Sequence, residues 1–194
     1  DDTLALLRET GLEREISEEG CLSLYTDEAE FRADRDHIEV LERFGFPHEV
    51  IGRQAIRALE PEISDKIGMA VIFPQNRSIK DPYRLVLALA ERFTASGGRI
   101  EHGEVAGFVR GEGIREVVLR DGRRLAADEV VVCAGAHSAG LAKMLGEPIP
   151  LETERGYHTQ IMAPGIKLKH SLIWPARAFM VTPTSVGIRI GGKV

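Results

Sequence analysis

The sequence predicts an α+β fold, in which a mixed, mostly antiparallel sheet with helices is combined with a partial α/β domain. Segments 15–75 and 150–194 contain short strand-like runs, interrupted in the first by helices, whereas 97–145 contains an apolar strand followed by a turn and a helix. Because these two patterns are interleaved along the sequence, we expect the chain to pass between two domains more than once. No internal repeat and no low-complexity tract points to a simpler architecture.

Composition and charge limit the classes of function. Of the 194 residues, 43% are hydrophobic and 28% are charged, as is usual for globular proteins. The formal net charge is −5 and the Lys and Arg residues are dispersed, so no nucleic-acid-binding surface is expected. No apolar run reaches the roughly 18 residues needed to span a bilayer. We expect no secretory signal and a cytoplasmic protein, with peripheral membrane association left open.

The cysteines and histidines show no metal-site pattern. Cys21 and Cys133 lie far apart in apolar runs, so both are expected to be buried free thiols in a reducing compartment. The histidines are dispersed and suit no metal-ligand spacing. We therefore expect no metal site.

The first half of the chain contains helices and strands with clear end signals. Asp27 is expected to cap one helix, and Asp81 followed by Pro82 is expected to begin another. Glycines follow the expected helices, as at Gly11 and Gly45. The expected elements are an opening helix up to Gly11, a strand at 20–26, helices at 28–43 and 53–59, a strand at 68–73 and a helix at 81–96.

The second half is expected to be richer in strands. Asp121-Gly122 marks a hairpin turn between two of them. The strands after residue 150 are expected to form a mostly antiparallel sheet. The expected strands are 99–102, 104–109, 114–120, 123–127, 130–133, 151–162, 170–175, 178–182 and 186–191.

The segment 128–138 is the most informative part of the chain. Residues 130–133 form an apolar, mostly β-branched run that predicts a strand covered on both faces. The small residues 134–136 follow, and Ser138 is expected to cap a helix that runs to Leu145. The start of such a helix offers unpaired N–H groups to an anion such as a nucleotide phosphate. A merely tight connection is the alternative, because the turn lacks a full G-x-G-x-x-G pattern.

The order of several motifs resembles that of the FAD-dependent amine oxidoreductases, a family that includes D-amino-acid oxidase, glycine oxidase and sarcosine oxidase. The resemblance extends over nearly the whole chain, and residues 153–158 are most similar to the D-amino-acid dehydrogenase branch. The motifs are Asp81-Pro-Tyr-Arg-Leu85, Gly97-Gly98, the strand reaching Val105, Leu125 to Ser138, Leu145-Gly146, Pro148 to Pro150 and Glu154-Arg-Gly-Tyr-His158.

This resemblance implies a cofactor, a reaction and a domain organisation. The implied cofactor is FAD, and the implied reaction is oxidation of the C–N bond of a D-amino acid or related amine by hydride transfer to the flavin. It also implies that 1–80 and 148–194 belong to the substrate domain and 81–147 to the FAD-binding domain. The implied cofactor-binding residues are Val105, through its backbone, and Ala134, Gly135 and Ser138 in the turn.

Two features of the family are not found in this sequence. They are the G-x-G-x-x-G unit for the pyrophosphate and the C-terminal segment that closes over the flavin. We therefore expect an internal fragment of a longer enzyme, inactive alone and weak in holding FAD. The alternative is a non-catalytic binding or interaction module of the same fold. Oxygen or a membrane quinone as electron acceptor, and the oligomeric state, are left open.

No catalytic residue is assigned from the sequence, but five candidates are present. Arg155 and Tyr157 are candidates for binding a substrate carboxylate, and His158 for acid/base chemistry. Strand alternation would place Arg155 and Tyr157 on one face and His158 on the other. Arg177 and Arg189 are further candidate carboxylate anchors in the sheet that would cover the flavin. For each of the five, a structural role in the sheet or at its surface is the alternative.

Overall fold

The structure, a computed structural model, describes residues 2–192. Its helices are α1 (Asp2–Thr10), α2 (Glu28–Ala33), α3 (Arg35–Arg43), α4 (Arg53–Leu59), α5 (Pro82–Ala95) and α6 (Ser138–Met144). Its strands are β1 (Ile16–Ser17), β2 (Cys21–Tyr25), β3 (Glu49–Gly52), β4 (Met69–Phe73), β5 (Ser78–Ile79), β6 (Val105–Arg110), β7 (Ile114–Leu119), β8 (Arg124–Ala126), β9 (His158–Ile161), β10 (Ser171–Trp174), β11 (Phe179–Thr184) and β12 (Gly187–Gly192). No described helix is both long and apolar enough to cross a bilayer.

Two compact units divide the chain. The first contains the residues up to Ser96 together with those from Gly156 onward, and the second contains Gly97–Arg155. These boundaries differ from the expected domain limits after residues 80 and 147. Helix α5 lies in the first unit because its Leu85 packs with Leu7 and Leu12 of the N-terminal segment.

A seven-stranded mixed sheet organises the first unit, with strand order β3-β4-β2-β10-β11-β12-β9. Strands β2 and β10 are parallel, and all other neighbouring pairs in this sheet are antiparallel. The short strands β1 and β5 pair separately. The four strands expected after residue 150 are present in the expected antiparallel arrangement, but the first of them begins only at His158, not at residue 151.

Helices cover both faces of the sheet at β2. Leu22 and Leu24 lie in a cluster with Ile56 of α4, whereas Tyr25 packs with Ile38 of α3. Because successive strand residues point to opposite faces, this double cover buries all of β2.

The expected helix 28–43 is interrupted in the structure. Asp27 caps its start as expected, since the carboxylate accepts hydrogen bonds from the N–H groups of Ala29 and Glu30 at 2.8 and 3.0 Å. At Asp34 the backbone leaves the helical path, with φ −100° and ψ 5°. There its carboxylate accepts a 2.8 Å hydrogen bond from the hydroxyl of fully buried Tyr25. Burial and this carboxylate raise the pKa of Tyr25. The expected continuous helix at 28–43 is therefore wrong. The buried hydroxyl of Tyr25 needs a hydrogen-bond partner, and Asp34 provides it at the break.

A buried carboxylate connects α4 to β10. Glu60 is 0% exposed and His170 5% exposed. One oxygen of Glu60 accepts hydrogen bonds from the backbone N–H groups of Lys169 and His170, at 2.8 and 2.7 Å, and lies 2.7 Å from Nδ1 of His170. These contacts hold together two segments about 110 residues apart.

The second unit contains an antiparallel meander of β6, β7 and β8, with the expected hairpin turn at Gly122, whose φ is +90°. The expected strands at 99–102 and 130–133 are wrong, because neither segment pairs with a described strand. Val131 is 83% exposed and Cys133 is also exposed, so the expected burial of both is wrong. An apolar run becomes a buried strand only beside hydrogen-bonded neighbours.

The turn after this segment also differs in detail from the expectation. Gly135–His137 form a short 3-10 turn, and α6 begins at Ser138, with His137 in the capping position. The hydroxyl of Ser138 accepts a 3.1 Å hydrogen bond from the N–H of Ala134, four residues earlier. Ser138 therefore closes the turn and does not cap the helix.

Replacing Glu60 is expected to destabilise the first unit. Glu60→Ala leaves buried N–H donors without an acceptor, which should lower the free energy of unfolding by about 2–4 kcal/mol. Glu60→Gln keeps an accepting oxygen and should cost less. Urea denaturation measures both, with Glu62→Ala as a control at an exposed neighbouring carboxylate that should change stability by less than about 0.5 kcal/mol. Equal unfolding midpoints for Glu60→Ala and Glu62→Ala would contradict a stabilising role for the hydrogen bonds to Glu60.

The two thiols are expected to react at very different rates. Burial raises the pKa of the Cys21 thiol to about 11, whereas Cys133 is exposed. In the native protein, the Cys133 thiol should therefore react quickly with dithiobis(nitrobenzoate) and release one equivalent of thionitrobenzoate. The Cys21 thiol should release a second equivalent only after denaturation. Cys133→Ser should remove the fast reaction, and Cys21→Ser should leave it unchanged. A fast reaction that persists in Cys133→Ser would overturn this assignment.

Candidate functional site

An exposed row of residues crosses the last four strands of the large sheet. Strand register places Ile173 opposite Met180, Met180 opposite Gly191, and Gly191 opposite His158. Residues directly opposite each other share a face. Met180 is 44% exposed and His158 is also exposed, so this part of the face is accessible in the first unit.

A shallow cavity of about 360 Å³, largely open to solvent, lies on this face. Apart from the hydroxyl of Tyr157, its lining side chains are apolar. Gly191 leaves its floor open, because a Cβ at that position would meet no atom within 4 Å. The lining residues are Tyr157, Ile173, Ala178, Phe179, Met180, Gly191 and Gly192.

Arg189 supplies positive charge on the same face. In the adjacent row, Thr182 pairs with Arg189 and Arg189 with Gln160. The amide oxygen of Gln160 accepts a 3.4 Å hydrogen bond from Nε of Arg189. The amide nitrogen of Gln160 donates to Oγ1 of Thr184 at 3.1 Å and to the carbonyl of Ile188 at 3.0 Å, which orients the oxygen toward Arg189.

The guanidinium of Arg189 is available to an anion. Among residues 2–192, no carboxylate lies within ion-pair distance of it, and Gln160 is its one hydrogen-bond partner. Arg189 is half-buried, so a carboxylate bound there would be partly screened from water. A planar guanidinium can hold a carboxylate through two parallel hydrogen bonds.

The structure separates the sequence-derived candidates. Tyr157 lines the cavity, and His158 lies in the row of Ile173, Met180 and Gly191, which also line it. Because Tyr157 precedes β9, strand alternation does not fix its face relative to His158. Arg155 belongs to the second unit, outside regular structure. Arg177 stacks on Trp174, with its guanidinium carbon 5.6 Å from the ring centroid.

The second unit contains an apolar groove of about 410 Å³ that includes two of the four predicted cofactor residues, Val105 and Ala134. Gly135 and Ser138 follow in the adjoining turn, where Gly135 has φ +54° and a Cβ would meet no atom within 4 Å. The groove is lined by Val105, Phe108, Val117, Val130, Val131, Val132, Cys133, Ala134 and Leu141.

The chemistry of this groove fits one part of a dinucleotide. Its apolar walls and small-residue edge suit a flat purine ring. None of the lining residues carries a charge, so the groove fits adenine and not the diphosphate. The described residues contain no group of three or more His, Cys, Asp or Glu side chains that could hold a metal ion.

Two polar contacts of the structure have no counterpart among the motifs of the sequence. Gln160 orients Arg189 from 29 positions away, and Glu60 is buried against a segment about 110 residues distant. Neither position carries a local signal, because a lone Gln in a strand and a Glu after a helix are ordinary surface residues.

Comparisons with known proteins give the family. A model described as "FAD dependent oxidoreductase" matches residues 2–194. A D-amino-acid oxidase of Bradyrhizobium diazoefficiens is 29% identical over 97% of this chain and 45% of its own length. A D-amino acid dehydrogenase of Rhizobium johnstonii is 30% identical over 97% of this chain and 47% of its own length.

A solved structure, glycine oxidase from Bacillus cereus, superposes with a TM-score of 0.80 at 22% identity, over 98% of this chain and 53% of that chain. This likeness supports the fold. The chain spans about half the length of the curated relatives it matches. The predicted fold class is confirmed, and FAD is confirmed as the cofactor of the family. The chain belongs to the family of FAD-dependent oxidoreductases.

Proposed function

We propose that the native protein carrying this chain oxidises the C–N bond of a D-amino acid or a related amine. The observation that carries the proposal is family membership over residues 2–194, together with similarity to D-amino acid dehydrogenases along nearly the whole chain. The open face of the large sheet supports it, since a free guanidinium and an apolar cavity occur there together. An amino acid has the matching parts, a carboxylate and a side chain.

Arg189 is the proposed anchor for the substrate carboxylate. Its charge has no described carboxylate partner, and Gln160 fixes its orientation. Fixing the carboxylate would place the α-carbon in a defined position relative to the sheet, which is how positioning contributes to catalysis.

The cavity is the proposed site for the substrate side chain. Its lining favours an apolar group, and Tyr157 provides a hydroxyl that can hydrogen-bond the carboxylate or the amine. Tyr157 is 67% exposed, so that hydroxyl is free to reach a ligand. His158 lies directly opposite Gly191 of the cavity floor and is the candidate group for accepting the amine proton.

The second unit is the proposed site for the adenine end of FAD. The groove walls at Val105 and Ala134 would pack on the ring, and Gly135 and Ser138 would border the ribose side. Ser138 keeps a hydroxyl proton to donate, because its oxygen serves as the acceptor for Ala134. The chemistry supplied by bound FAD is the acceptance of a hydride.

Absorbance of the native protein tests this function. We expect flavin bands that bleach under anaerobic conditions on addition of D-alanine or D-proline, and that bleach less with the L-enantiomers. Unchanged spectra across a panel of amino acids and secondary amines would overturn the proposal and leave a binding module of the same fold.

Loss of Arg189 is expected to lower kcat/KM for substrates that carry a carboxylate. Arg189→Ala should lower kcat/KM for D-amino acids by about 10- to 100-fold, as expected for a lost hydrogen-bonded charge. An amine without a carboxylate should change by less than about twofold. Gln160→Ala should cause a smaller loss, mainly in KM.

Steady-state kinetics of the holoenzyme measure these effects, and Arg177→Ala is the matched control because that arginine stacks on Trp174. Equal losses in Arg189→Ala and Arg177→Ala would contradict the assigned anchor. So would an equal loss for substrates with and without a carboxylate.

Filling the cavity is expected to alter size preference. Gly191→Val places a branched side chain on the cavity floor, where a Cβ itself meets nothing. The ratio of kcat/KM for D-phenylalanine to that for D-alanine should fall about tenfold, since the larger side chain loses its space. Gly52→Val, at another open glycine on the far edge of the sheet, is the control. An unchanged ratio in Gly191→Val would place the substrate side chain elsewhere.

A further inference from the structure

We infer that the first unit holds a second ligand site, for an amine with an apolar body, on the sheet face opposite Arg189. A cavity of about 260 Å³ lies there. Leu172, Val181 and Ile188 line it, whereas Ile173, Met180 and Arg189 of the same strands lie on the other face. The two cavities therefore lie on opposite faces of the sheet, and Phe179 at the end of β11 borders both.

The cavity is bounded on two sides and partly open to solvent. Its floor is the sheet, and its roof comes from loop residues including Ile63, Ile67 and Leu168. Glu60 precedes the loop that contains Ile63 and Ile67, and its Oε1 accepts hydrogen bonds from the N–H groups of Lys169 and His170, which directly follow Leu168. The buried carboxylate thus fixes both sides of the roof over the sheet.

Size and polarity define the body of the ligand. Apolar cavities of about 150 Å³ stay dry and bind benzene, so this larger one has room for a bicyclic aromatic or an alkyl chain of roughly eight carbons. Its interior is lined by aliphatic and aromatic side chains, with Glu62 and Ser64 as its polar lining residues. These walls offer few hydrogen-bond partners to water, which favours an apolar ligand body there.

Charge defines the head of the ligand. Glu62 is the one charged side chain that lines the cavity, and it makes no ion pair with any residue in 2–192. Lys66 and Lys167 are close in sequence, but neither lines the cavity. The carboxylate therefore favours an ammonium group and disfavours a carboxylate of the same chain length.

Trp174 lines the cavity and is the single tryptophan of the chain, so its fluorescence reports occupancy. The probes are octylamine, octanol and octanoate, added below their micellar concentrations to the holoenzyme and to its Trp174→Phe variant. We expect saturable fluorescence changes that depend on Trp174, with octylamine bound at least about fivefold more tightly than octanoate. The flavin spectrum should stay unchanged, which separates this site from the catalytic one.

Two variants complete the test. Glu62→Gln alters an exposed side chain, so it should fold normally and remove the preference for octylamine over octanoate. Val181→Phe fills the cavity and should abolish binding of all three probes. The inference is overturned by non-saturable changes, by equal affinity of octylamine and octanoate, by a charge preference that survives Glu62→Gln, or by unchanged binding in a folded Val181→Phe variant.

Discussion

The parallel pairing of β2 with β10 is the constraint on which the first unit depends. It sets Leu22 opposite Leu172 and joins an early strand to one about 150 residues later in the chain. Two antiparallel groups of strands, one on each side, extend from this pair. Because side chains alternate with period two, a slip of one residue here would exchange the faces of every strand after β10. Glu60 supports the same register by binding the segment directly before β10.

The register gives the sheet two faces with different chemistry. On one face, Arg189, Gln160 and the cavity beside Tyr157 combine a free positive charge with an apolar space. On the other, Leu172, Val181 and Ile188 form the floor of a partly open apolar cavity that Glu62 also lines. Strand β12 contributes to both faces. Arg189 points to the first face, and its sequence neighbours Ile188 and Ile190 point to the second, because side chains alternate along a strand.

The second unit illustrates a different limit. Residues 130–133 are apolar and β-branched, yet Val131 is 83% exposed and the segment pairs with no described strand. Such residues favour strands with covered faces. A strand nevertheless forms only where neighbouring strands satisfy its backbone groups, and composition carries no information about their presence. The resemblance to the family rests on the order of motifs along the chain, and that order does not depend on whether residues 130–133 pair with a neighbouring strand.

The sequence by itself determined the features whose physical cause is local. Asp27 caps its helix, α5 begins at Asp81-Pro82, and Asp121-Gly122 forms the hairpin turn, because in each case the stabilising partner lies within about four residues. Only the tertiary structure decided the break at Asp34, the burial of Glu60 and the pairing of Gln160 with Arg189. The partners that satisfy these polar groups lie from 9 to 110 residues away in sequence, and they meet only when the helices pack on the sheet and the strands pair in register.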